Sequence, residues 1–286
     1  ADAYDLWDIR QAPGVNAQRH YHLDWGLLQK GDPATFIITD NIGPHFRVQK
    51  TIIRGEEVFD YNSTDQTVYS QQKISEFLDS FPNYPNHFKA TPITEKDIFY
   101  HIKPGDTEHI ICATDGSLLT EHDEVNMTDS WFSETYPWLE VQKIVVYNRF
   151  QPGAKPKVGL IRGFGITQGA IAGSVAHDCH NIVAIGSNDT YIVRAVNRVI
   201  EMGGGLVVVS ANEMNDIPLP IAGLMTPLNG HEIAFRTMML HEMVHKTGCM
   251  MMSPFITMSF MALPVIPSLK LTDRHLVDTK NMQIIR

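Results

Sequence analysis

Cysteine is scarce in this chain, with only Cys112, Cys179 and Cys249 among 286 residues. Three well-separated thiols exclude a disulfide framework and a Cys-x-x-Cys metal knuckle, and they suit a reducing compartment. Basic runs are missing as well. No lysine- or arginine-rich block occurs and the formal net charge is −9, so the composition lacks the counterion-displacing surface that holds nucleic acid. No charged-then-apolar leader opens the chain. Its first residues, ADAYDLWDIR, are polar and include no initiator methionine, which points to a processed product or a fragment. Long apolar runs are also lacking. The most membrane-like stretch, between Lys246 and Lys270, is uncharged but broken by Pro254, Pro264 and Pro267. It predicts a buried strand-turn-strand segment rather than a spanning helix. A cytoplasmic protein with no membrane and no nucleic-acid partner is the expectation.

What is present describes a folded globular chain: 43% apolar and 19% charged residues, in a length that suits one large domain or two ordinary ones. Asp5 to Gln18 has helical character cut by Pro13–Gly14. ATFIITD (34–40) and VQKTIIRGEEVF (48–59) are β-rich, with a tight turn at Arg54–Gly55–Glu56, and predict a small antiparallel β unit. Residues 61–105 are polar and proline-punctuated, with one short helix expected near Gln71–Leu78. HIICATDGSLLTE (109–121) reads as a hairpin around Asp115–Gly116, and KIVVYNRF (143–150) as a strand. IVAIG (182–186), a helix capped at Asp189 and stopped at Gly203–Gly205, and LVVVS (206–210) together predict a βαβ unit with two parallel strands.

Four stretches bear chemistry-capable residues. HEMVHKTG (241–248) has the His-Glu-x-x-His spacing that places two imidazoles on one helical face, as zinc peptidases require. On a helical wheel His241 and His245 fall beside Ala234 and Thr237, away from Leu240, Met243 and Val244, so a surface pair is expected. A third ligand at the metzincin spacing would be position 251, which is Met251. His20–Tyr21–His22 is a His-x-His pair in a polar setting, without the apolar strand that would make it a ligand pair. GFGITQG (163–169) has glycine spacing unlike a dinucleotide loop and predicts a backbone crossing or tight turn. SVAHDCHN (174–181) packs His177, Asp178, His180 and Asn181 into five residues just before a buried strand. Such groups are costly to bury unless paired, and they can carry protons or hydrogen-bond a heterocycle.

Several of these segments together resemble the adenine deaminases of the amidohydrolase superfamily, in their C-terminal half. VNAQRHYHLDWGLLQKGDPATFII is similar to the segment leaving the last barrel helix, with Ala17, His22 and Thr35 standing where that family has proline, glycine and aspartate. GFGITQGAIAGSVAHDCHNIVAIGSND, PLPIAGLM (218–225), PFITMSFMALPVIPSLKLTD (254–273), KIVVYNRF and NHFKATPI fit as well, in order along nearly the whole chain. The resemblance implies an α/β chain in three parts. Residues 1–65 would hold the tail of the barrel and a small β unit from its flanking β-sandwich, 66–140 a loop-rich connecting β region, and 141–286 the C-terminal domain built around the βαβ unit, with the catalytic barrel missing. It implies hydrolysis of adenine to hypoxanthine and ammonia in purine metabolism, with water activated by manganese or iron. The ligands of that metal would lie on the barrel and not in this chain, and the H-x-E…P-C-x-x-C signature of zinc nucleobase deaminases is absent. His177, Asp178, His180 and Asn181 would then line the pocket or relay a proton. Alone, the chain is expected not to turn over adenine. Its partners would be the missing barrel portion and further copies of itself in a homo-oligomer. The competing expectations are a non-catalytic binding or scaffold module of the same fold, and a zinc peptidase acting through His241, Glu242 and His245.

Overall fold

The computed structural model describes residues 5–43, 45–63, 86–127 and 141–285. The chain divides into two compact units, Ala1–Ser80 and Phe81–Arg286. The helix expected near Gln71–Leu78 lies outside the described residues.

In the first unit Asp5 caps α1 (Leu6–Gln11), its carboxylate accepting the Trp7 N–H at 2.8 Å. Pro13 interrupts that helix, and after one π turn α2 (Ala17–Tyr21) ends at His22 in the left-handed region. Three strands follow, β1 (Phe36–Thr39), β2 (Val48–Ile53) and β3 (Glu56–Asp60), paired antiparallel in that order. Arg54 and Gly55 both have positive φ, 51° and 85°, the geometry a two-residue hairpin loop needs to match strand twist.

The second unit is built on one sheet of eight strands. They are β4 (Thr107–Ala113), β5 (Thr120–Asn126), β6 (Val141–Tyr147), β7 (Lys157–Arg162), β8 (Ala170–Gly173), β9 (Ile182–Gly186), β10 (Gly205–Val209) and β11 (Met214–Pro218). Their spatial order is β11-β10-β8-β9-β6-β7-β4-β5, so β11 and β5 are its edges. Every pairing is antiparallel except β4 with β7. The sheet draws strands from both sides of residue 140, where the sequence suggested a boundary.

Helix α3 (Asp189–Glu201) carries the chain from β9 to β10. Those two strands run parallel, because both pair antiparallel with β8, which is inserted between them. The loop 174–181 keeps β8 and β9 adjacent, and the helix crosses β8 to reach the next free position. Buried Ile192, Ala195, Val196 and Val199 of α3 pack on Val145, Ala172, Ala184 and Val207. The other face, with Ile144, Val146, Val183 and Ile185, is covered by α4 (Gly230–Lys246), α5 (Pro254–Ser259) and a small sheet. That sheet is β12 (Leu269–Leu271), β13 (Leu276–Asp278) and β14 (Gln283–Ile284). With both faces covered, the central strands read as continuous apolar runs.

The stretch from 247 to 269 departs from the expected strand-turn-strand. Pro254, at the first turn of α5, supplies a preset φ and needs no hydrogen-bond donor there, so the segment begins as a short helix and only its end is extended. Among the described residues no helix is long and apolar enough to cross a membrane.

Candidate functional site

The loop 174–181 joins β8 to β9 and is pinned at each end. Ser174, fully buried, donates its hydroxyl to Gly223 O at 2.6 Å and accepts the Gly205 N–H at 2.9 Å. His177 donates its backbone N–H to Ser259 O at 3.0 Å, and its ring stacks on Phe260 with centroids 4.6 Å apart. His180 has φ 47° and donates its N–H to Ala176 O at 2.6 Å. Its carbonyl accepts Arg149 Nε at 2.5 Å.

Arg149 lies two residues beyond the end of β6 and was not singled out from sequence. Only 1% of it is exposed. It donates to Ala222 O as well, at 2.8 Å, and lies under the Phe150 ring at 4.3 Å. The lack of a side chain at Gly223 makes room for it, since a Cβ there would come 2.7 Å from Nη1. Among the described residues no carboxylate pairs with this guanidinium, and burial pulls its pKa down.

Three buried polar atoms at this end of the sheet find no hydrogen-bond partner among the described residues: Arg149 Nη1, His180 Nδ1 and Asn181 Oδ1. Interiors rarely leave such groups unsatisfied, and each lost bond costs about 1–3 kcal/mol. Burial, then the His177 and Arg149 charges, hold the His180 imidazole below its usual pKa, with Asp178 opposing. A neutral imidazole, an amide oxygen and a fixed cationic donor together suit a polar heterocycle or an ordered water. Burial also pushes the Cys179 thiol up, so it stays protonated and is no nucleophile near neutrality.

Of the four residues named from sequence, His177 and His180 come together, with ring centroids 6.0 Å apart, while Asp178 points to the exposed side and Asn181 is buried. They do not form a ligand set, so the manganese or iron implied by the resemblance does not fit this loop. Among the described residues the His, Cys, Asp or Glu atoms that converge within metal-binding distance of one another are those of His109, His122 and Glu124.

The other motifs resolve structurally. His20 and His22 are exposed, at the end of α2 rather than on a strand. In α4 Leu240, Met243 and Val244 are buried, His241 is half-buried and His245 is exposed, with no third ligand beside the pair among the described residues. GFGITQG is a close backbone crossing. The amides of Thr167 and Gln168 donate to Thr247 O at 2.8 and 3.2 Å, leaving them unavailable to a phosphate, and a Cβ on Gly163 would collide with Ala113 O. A cleft of about 340 Å³ opens beside Tyr100, Lys143 and Asp189. Lys143 pairs with Gly186 and Tyr147 with Ile182, so the cleft lies at the opposite end of these strands from the loop. Arg162 Nε, opposite Val141 at the cleft end, is also unsatisfied among the described residues, so what sets the loop end apart is that three such atoms gather there beside the His177 ring.

The family model described as adenine deaminase C-terminal domain matches residues 117–283. A protein named adenine deaminase from Sulfurovum sp. (strain NBC37-1) is 40% identical over 100% of this chain and 50% of its own length. Namesakes from Salinibacter ruber and Methanosarcina barkeri are 38% and 36% identical over 96% and 98% of this chain, which covers 48% and 50% of theirs. The chain spans about half the length of the curated relatives it matches. It belongs to the adenine deaminase C-terminal domain family.

Proposed function

We propose that this chain is the C-terminal portion of an adenine deaminase, acting with a metal-bearing barrel to convert adenine and water to hypoxanthine and ammonia. The observation that carries the reading is similarity along the entire chain to proteins of that name. In the reaction a C–O bond forms at the ring carbon bearing the amine, the C–N bond breaks, and ammonia leaves with the protons. Among the described residues the 174–181 loop offers no three-ligand cluster for manganese or iron, so the barrel would hold the metal that activates water.

The loop's part in this reading is to line or close the base pocket. Neutral His180 and Asn181 Oδ1 are the groups suited to the nitrogen edge of a purine or to a relay water. His177, held flat on Phe260, presents a ring face for stacking, and Asp178 and Arg149 orient the two imidazoles through charge and through the His180 carbonyl. The test is reconstitution. With the barrel portion supplied in trans, His177→Ala is expected to lower kcat/KM for adenine at least about tenfold. A loss below about twofold, roughly half a kcal/mol, would put the loop outside the pocket.

A further inference from the structure

We propose that the β4–β5 hairpin carries a site for a divalent transition cation, zinc foremost, formed by His109 Nδ1, His122 Nε2 and a Glu124 carboxylate oxygen. The strand register assembles it. His109 lies directly opposite Glu124 and Ile111 opposite His122, so the three polar side chains share one face of the hairpin. Ile111 and Ala113 anchor that same face in the core. The ligands therefore sit on paired strands rather than on a mobile loop, which is how a site keeps its geometry.

The three donor atoms lie close enough together to share one ion. His109 Nδ1 and His122 Nε2 are 2.8 Å apart, and Glu124 Oε1 is 3.8 Å from the first and 3.9 Å from the second. A point in the plane of the three atoms lies about 2.1 Å from each, the length of zinc–imidazole and zinc–carboxylate bonds, and tetrahedral zinc would need the imidazole nitrogens to part from 2.8 Å to about 3.4 Å, a small side-chain shift. Two imidazoles and one carboxylate are the donor set of open zinc and iron(II) sites, which leave a position for water or substrate. Two ring nitrogens facing each other can share only one proton when both rings are neutral; a cation would satisfy both lone pairs at once.

Behind the ligands stands a second carboxylate. Asp278 Oδ2 on β13 lies 3.7 Å from His122 Nδ1, the nitrogen facing away from the cluster, and it accepts Asn281 Nδ2 at 2.8 Å. At that distance it acts through charge rather than through a hydrogen bond, and a negative charge behind a ligating imidazole favours a cation on the far nitrogen. The imidazoles are partly shielded, with side-chain exposures of 24% and 15%, while Glu124 at 62% leaves a path from solvent.

This site stands whether or not the chain takes part in deamination. The experiment uses the 286-residue chain stripped with chelator, titrated with zinc and, for a spectroscopic signal, with cobalt(II). One equivalent of zinc per chain is expected, with a cobalt ligand-field band that zinc abolishes. Glu124→Gln, at an exposed position where the hairpin stays folded, should weaken binding at least about tenfold. Asp278→Asn should weaken it a few-fold, by removing the charge behind the His122 imidazole. The His109→Ala/His122→Ala double variant should bind no stoichiometric zinc, with circular dichroism showing its fold intact. His241→Ala should bind as the unaltered chain does. The inference is overturned if the chain takes up no stoichiometric zinc, if Glu124→Gln binds with unchanged affinity, or if the ion is lost on His241→Ala instead.

Discussion

Lys270, on β12, offers the sharpest test of the packing described above. It has no exposed surface, its ammonium donates to Leu118 O at 2.9 Å, and among the described residues no carboxylate pairs with it. Burial lowers its pKa from 10.5 to about 8. In the unfolded chain the amine keeps its ordinary value, so between about pH 8 and 10.5 the unfolded state binds more protons, and stability rises with pH across that window. At pH 7 both states are charged and the folded state carries the whole desolvation cost, about 3 kcal/mol at ~1.4 kcal/mol per pH unit. Above pH 10.5 both are neutral and the cost is gone. The three thiols act in the opposite sense. Burial raises each of them, so unfolding releases their protons first and stability falls above about pH 9. The informative quantity is therefore a difference between two proteins. Lys270→Met keeps the apolar stem and removes the charge. By urea unfolding, the variant should gain on the unaltered protein at pH 7 and lose that advantage by pH 10.5, a relative change of about 2–3 kcal/mol. A gap that stays constant within about 0.5 kcal/mol between the two pH values would refute the account of a charged, desolvated amine.

Two stability predictions follow from the backbone. Gly163→Ala places a Cβ against Ala113 O at φ 106°, and should cost about 3 kcal/mol or more, lowering Tm by roughly 6–12 °C. Gly153→Ala, at φ 72° with open space around it, is the comparison and should cost only about 1 kcal/mol; equal losses would remove the steric argument. Asn188 caps α3 by accepting the Tyr191 N–H at 2.9 Å. Asn188→Ala should cost about 1 kcal/mol in thermal or chemical unfolding, and Asn188→Ser should restore most of it.

Much of the frame was legible because local signals were strong. Positive-φ turn residues at Arg54–Gly55 and Gly116 betray their hairpins, and the stripe of α3 with its glycine stop at Gly203 gives a helix whose capping residue is Asn188, one position before the Asp189 read from sequence. The strands β7 and β8 were harder. KVGLIR and AIAG are short and glycine-bearing, and they run into a glycine series whose role depends on Thr247, some 80 residues away in the chain. Site chemistry was legible where it is contiguous, as in SVAHDCHN. Arg149 was missed because its importance lies in what it lacks, a counter-charge, which only the packed core reveals. His109 and Glu124 were missed because strand register, rather than spacing along the chain, makes them neighbours. A local pattern such as HEMVH carries no such cross-strand information, and its two histidines end on a helix without a third partner among the described residues.

The order of the large sheet leaves β5 and β11 as its margins, and their makeup constrains how copies of the chain can meet. β5 bears Glu121, Asp123 and Glu124, while β11 bears Asp216 and closes on Pro218, which has no amide hydrogen to offer. Two molecules zipped along β5 would set carboxylates against their own mirror positions, and like charges placed opposite one another repel. Continuation of the large sheet from one molecule into the next is thereby discouraged along both of these strands.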